Sequence, residues 1–194
     1  MASIKQISER ISYKQHEGFS TVVISPRLDD RKQLLLTFWV FAWTFSGLLF
    51  IAQLFLDYPV EMKRMIVAFL VFWLYYEYRI GYVWLWRRKG VELLKIEEGR
   101  LIYKRSVRTY GKAYEYYIDN IKEFGLAEIK PGFSNVLADS FWVIGGERLR
   151  FLYQDREVRF GVQLSEEEAE KLRKFLNEKF VEELKRLKEK SSEN

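Results

Sequence analysis

Few residues in this sequence have the type and spacing needed for chemistry. Cysteine is absent and histidine occurs once, at His16. That excludes disulfides, thiolate metal sites, a cysteine nucleophile and multi-histidine metal centres. No phosphate-cradling glycine loop, HExxH pair or serine elbow is present, so no catalytic, cofactor-binding or metal-binding residue is assigned. Asp139-Ser140 and Gly145-Gly146-Glu147 read as loop and turn. The conspicuous ionisable residues are Glu77 and Arg79, which interrupt an apolar and aromatic run from Met65 to Trp86. Charged groups at membrane depth are functional candidates. Here they either reach the headgroup level or turn toward the preceding apolar run, where Gln53 is the other costly polar group.

Basic and aromatic residues supply the remaining candidates. Arg87, Arg88 and Lys89 directly follow the second apolar run and suit anionic headgroups as well as topology signalling. Lys104, Arg105, Arg108 and Lys112 form a second basic group, of which Lys104, Arg105 and Arg108 are candidates for a surface face resting on anionic lipid. The net charge of +5 is spread among many acidic residues, so no stripe dense enough for nucleic acid appears. Aromatic residues make up 17% of the chain and concentrate in and beside the apolar runs. Phe133, Val136 and Trp142, in or next to the loop KPGFSNVLADS, are the candidates for a partner-binding surface.

These residues must be positioned by the elements around them. Leu34 to Leu56 is a run of 23 residues without charge, roughly 35 Å as a helix, enough to cross a ~30 Å hydrocarbon core. The second span, about 65–86, is less clean. DYPVEMKR between them is too short for a domain, so residues 33–89 read as a transmembrane hairpin. Six basic residues flank its outer ends (Arg27, Arg31, Lys32, Arg87, Arg88, Lys89) against Lys63 and Arg64 in the connector. That bias places both termini in the cytoplasm, at a bacterial-type inner or plasma membrane. A charged preface of about thirty residues argues for a retained anchor over a cleaved signal.

From Gly90 the pattern changes to short β segments. Strands are expected at Val91–Glu97, Leu101–Val107, Lys112–Ile118, Ile121–Glu128, Phe141–Ile144, Leu149–Tyr153 and Glu157–Val162, with Glu98-Gly99 and Gln154-Asp155-Arg156 as turns. Ser165-Glu-Glu-Glu168 is a capping box opening a helix to about 189. Its stripe is Ala169, Leu172, Leu176, Phe180, Leu184 and Leu187. Residues 1–32 form a separate N-terminal segment, in which Ile4 to Tyr13 and Ser20 to Ile24 could form a β-hairpin around His16-Glu17-Gly18 that adds to an edge of the later sheet.

About seven short strands capped by one amphipathic helix define the expected class. It is an α+β membrane protein with a two-helix transmembrane hairpin and a pleckstrin-homology-like β-barrel over 90–194, capped by the C-terminal helix. In WLWRRKGVELLKI and LRFLYQDREVRFGVQLSEEEAEKLRKFL the layout resembles bacterial membrane proteins that carry such a hairpin followed by a pleckstrin-homology-like domain. It is also similar in layout to photosystem I assembly factors. The resemblance implies no established activity and no catalytic residues. Inositide-binding domains of this kind place basic residues at the first hairpin, whereas here it reads Glu97-Glu98-Gly99-Arg100. The expected function is a non-enzymatic adaptor or assembly subunit that binds a membrane protein, or another copy of itself, with lipids as its surroundings. The alternatives are an anionic-lipid-sensing module, or an accessory to a membrane enzyme or transporter using Glu77 and Arg79.

Overall fold

The computed structural model describes residues 4–26, 30–128, 140 and 142–192. Three short strands open the chain: β1 (Ile4–Gln6), β2 (Ile11–Gln15) and β3 (Phe19–Ile24). Two long helices follow, α1 (Asp30–Gln53) and α2 (Val60–Lys89). Then come β4 (Gly90–Glu97), β5 (Arg100–Val107), β6 (Ala113–Tyr117), a short 3-10 turn (Ile118–Asn120) and β7 (Ile121–Leu126). The final elements are β8 (Glu147–Tyr153), β9 (Arg156–Val162) and α3 (Glu166–Ser192). The architecture is α+β with antiparallel sheets.

The strands form two sheets, β1-β2-β3-β4-β5-β6 and β7-β8-β9. The expected closed barrel is not formed: among the described residues β6 and β7 share no ladder, because the 3-10 turn separates them. The segment expected as a strand over Phe141–Ile144 is turn and bend across residues 142–144. The expected first strand, Ile4 to Tyr13, is broken by a turn in which Ile7 and Ser8 N–H groups both donate to the Ile11 carbonyl (2.9 and 3.2 Å). β3 pairs along its whole length with β4, from Phe19 opposite Glu97 to Ile24 opposite Glu92. The segments before and after the helical hairpin therefore belong to one sheet.

Alternation explains the core. In β4 every second residue is buried, so Leu94 and Ile96 face inward with Leu101 and Tyr103 of β5. Phe151 and Phe160 of the second sheet meet that face, with Tyr116 edge-on to Phe151 (5.1 Å). α3 lays Ala169, Leu172, Leu176 and Phe180 into the same core. Fully burying each large side chain contributes roughly 1.5–3 kcal/mol. The capping box is formed in both directions: Glu168 N–H donates to Ser165 Oγ (3.1 Å), and Ser165 N–H donates to Glu168 Oε2 (3.0 Å).

α1 and α2 are each long and apolar enough to cross a membrane. They pack antiparallel through rings and hydroxyls. Gly47 is buried under the Trp73 indole, where a Cβ would overlap the ring. That close approach lets Trp73 Nε1–H donate to the Trp43 carbonyl (3.0 Å).

Candidate functional site

The hairpin is closed by a ladder of polar groups. Trp84 Nε1–H donates to Thr37 Oγ1 (3.0 Å), and the Thr44 hydroxyl lies 2.8 Å from Glu77 Oε1 and 2.8 Å from the Val40 carbonyl. Glu77 thus turns toward α1. Arg79, two residues on, projects from α2 on another face and is exposed. Its Nη1 donates at 3.5 Å to the Tyr75 hydroxyl, and its guanidinium lies 6.0 Å from the centre of that ring. The two residues do not pair with each other, and Arg79 has no carboxylate partner among the described residues. Gln53 ends α1; its carbonyl accepts from Leu56 N–H (3.1 Å), but its side chain makes no hydrogen bond to α2 among the described residues.

α2 passes into β4 with no linker. At Gly90 the backbone turns extended (φ −79°, ψ 159°), and its N–H donates to the Trp86 carbonyl. A Cβ at Gly90 would collide with the Trp86 ring, so glycine is what lets that fully buried indole tuck beneath the junction. Arg87, expected at a headgroup surface, is instead 3% exposed and donates through Nη2 to the Val143 carbonyl (2.9 Å). Its Nε and Nη1 have no hydrogen-bond partner among the described residues. Arg108, whose φ is +57°, donates its backbone N–H to the Lys89 carbonyl (3.0 Å). The second and third basic residues do face outward: Arg88 lies over the Trp84 ring (5.2 Å), and Lys89 is exposed.

Behind the junction sits a buried acid. Glu92 is 1% exposed. One carboxylate oxygen accepts from the Tyr103 hydroxyl (3.0 Å) and from Arg105 Nε (3.1 Å), with Arg105 Nη2 at 2.9 Å. The other accepts the backbone N–H groups of Gly161 (2.7 Å) and Val162 (3.2 Å). Arg105 also reaches Glu147 (3.0 Å) and lies 5.8 Å from the centre of the Trp86 ring. Burial first, then the Glu92 charge, pushes the Tyr103 phenol well above its ordinary value. Burial pulls the Arg105 guanidinium down, but Glu92, Tyr103 and Glu147 outweigh it and hold it above its ordinary value. Arg105, grouped from sequence with surface cations, belongs to this internal network; Lys104 donates to the Thr109 carbonyl (3.1 Å) and Arg108 is exposed.

Between hairpin and domain runs a groove of about 910 Å³. Trp39, Tyr78, Arg79 and Tyr82 line it from the helices, and Trp142 and Ile144 from the domain. Trp142 stands edge-on to Trp39 with ring centres 5.6 Å apart. Phe133 and Val136, the other partner-loop candidates, lie outside the described residues. The sequence pattern did not point to Glu92 or Arg10, and Glu147, expected in a turn, instead opens β8. Arg10 donates to the carbonyls of Ser25 (2.9 Å), Gln163 (2.6 Å) and Val162 (3.0 Å), fastening the β1–β2 turn to the end of β9. No protein family, curated protein or solved structure matches the chain.

Proposed function

We propose that this chain is a non-enzymatic membrane-anchored adaptor or assembly subunit. The hairpin crosses the bilayer, and the sheet domain, read as pleckstrin-homology-like in layout, is held against the cytoplasmic surface to engage a membrane protein. The observation that carries this reading is the linker-free junction. With Trp86 buried, Arg87 on the Val143 carbonyl and Arg108 on the Lys89 carbonyl, the domain has a fixed pose on α2. A fixed pose suits presenting one surface at a set height over a membrane. The outward faces of the helices support lipid or a partner as their surroundings, since Phe38 and Phe45 are 72% and 62% exposed. Aromatic residues from Tyr75 to Trp86 fit a bilayer interface. The basic excess at the outer hairpin ends supports a cytoplasmic side for both termini at a bacterial-type inner membrane.

Native purification in mild detergent tests the reading. A second membrane protein, or a second copy, should elute with the chain at fixed stoichiometry, and recovery of the chain alone as a monomer overturns it. A second reading, an anionic-lipid-sensing surface, is favoured by Arg88, Lys89 and Arg108, which face outward at the junction. It expects that neutralising all three weakens salt-sensitive binding to anionic bilayers; unchanged binding removes it. The third reading, an accessory that uses Glu77 and Arg79 together, draws no support from their separate faces.

A further inference from the structure

We propose that the groove between the hairpin and the domain is a binding site for one anionic phospholipid, with Arg79 holding its phosphate and the aromatic walls holding its apolar part. Arg79 begins ten residues before Lys89, about 15 Å along α2, so it lies below the level of the junction. A guanidinium at that depth is costly unless an anion neutralises it. The nearest carboxylate in sequence, Glu77, is turned away to Thr44, and the contact to the Tyr75 hydroxyl supplies no charge. Among the described residues, Arg79 is also the one charged residue lining a groove of about 910 Å³ whose other described walls are aromatic or apolar.

Charge and shape together select the occupant. A cation with no carboxylate partner among the described residues, set among Trp39, Tyr78, Tyr82 and Trp142, calls for a molecule with a single anionic group attached to apolar substance. Tyrosine hydroxyls lining the groove add hydrogen-bond donors for phosphate oxygens. A partner transmembrane helix is the poorer fit. It needs a face clear along its length, whereas residues 142–144 close one side of this groove, held there by Arg87 on the Val143 carbonyl. A lipid enters such a wedge from the bilayer. The site stands on this geometry whether or not the adaptor reading holds.

The test is native mass spectrometry of the full chain released from nanodiscs of mixed phosphatidylglycerol and phosphatidylcholine. One phosphatidylglycerol should be retained per chain in preference to phosphatidylcholine. Retention should fall about fivefold in Arg79→Gln, recover in part in Arg79→Lys and hold in Arg88→Gln. In the unaltered chain, brominated phosphatidylglycerol should quench tryptophan emission more than brominated phosphatidylcholine. The difference should shrink in Trp142→Phe, an arm that does not depend on the arginine variants folding. Equal retention of the two lipids, or Arg79→Gln retaining as well as the parent, overturns the proposal. So does an equal loss in Arg88→Gln, which would mark a diffuse charge effect, or a carboxylate of a co-purified protein cross-linked at residue 79.

Discussion

Replacing Glu92 with glutamine removes the charge at the centre of the domain while keeping the side chain's shape. Four groups donate to this carboxylate: the Tyr103 hydroxyl, the Arg105 guanidinium and the N–H groups of Gly161 and Val162. A carboxylate accepts on both oxygens, but an amide offers one oxygen and one NH2. Whichever way the glutamine turns, its NH2 faces donors: the backbone pair on one side, or Tyr103 and Arg105 on the other. Breaking a buried charge pair costs about 3–5 kcal/mol. Arg105 keeps Glu147 and is 30% exposed, so the lower end, about 3 kcal/mol, applies. For a chain of this size that lowers the melting temperature by about 6–12 °C. Near-UV circular dichroism of the full chain in mild detergent would read the transition. The coupling of Glu92 to Arg105, from a double-mutant cycle with Glu92→Gln and Arg105→Met, should fall within about 1–3 kcal/mol. A Glu92→Gln melt within about 2 °C of the parent, on the same conversion, would refute the claim that this carboxylate organises the junction.

Other outcomes follow from single contacts. Tyr103 holds its proton above the ordinary phenol range in the folded chain, so the unfolded chain binds fewer protons above about pH 10. Stability therefore falls as pH rises past that value, and Tyr103→Phe should flatten the slope of denaturant midpoint against pH; an unchanged slope contradicts it. Ser165→Ala removes half of the capping box and should cost about 1 kcal/mol, measured by the same melts. Gln154 and Asp155 both sit at positive φ (49° and 60°) in the two-residue β8–β9 turn, so Gln154→Asn with Asp155→Gly should stabilise by about 1 kcal/mol. Gly47→Val drives a side chain into Trp73 and should open the hairpin, seen as loss of the near-UV tryptophan signal, at a cost of about 1–3 kcal/mol.

What could be read from the sequence was what repeats locally. The charge-free run made α1 legible, and the spacing of Ala169, Leu172, Leu176 and Phe180 made the buried face of α3 legible. Glu92 was legible in principle. Alternation in β4 puts it on the same face as Leu94 and Ile96, and an acid at an inward position asks for a partner. Its partners could not be read, because Arg105 is on the next strand while Gly161 and Val162 are about seventy residues away. Arg87 misled for a related reason. A basic triplet after an apolar run resembles a headgroup anchor, yet three consecutive helical positions point in three directions about 100° apart, and one of them faces the domain. The barrel expectation rested on strand number. Number alone does not decide whether β6 and β7 share a ladder.

The pairing of β3 with β4 changes what the hairpin is. From Ile24 to Gly90 the chain leaves one strand, runs through both long helices and returns to the adjacent antiparallel strand. In topology, α1 and α2 are the connection of a β-hairpin. Most such connections are two to five residues long and set strand register by their own geometry. Here register must come from the sheet, through the alternation of β4 and the hold of Glu92 on β5 and β9. The helices, conversely, depend on the strand pair to keep their outer ends together, since β3 and β4 hold those ends within one ladder. The path along the backbone from α2 into the domain is short. It passes through Gly90 into β4, and the first inward-facing side chain it meets is Glu92.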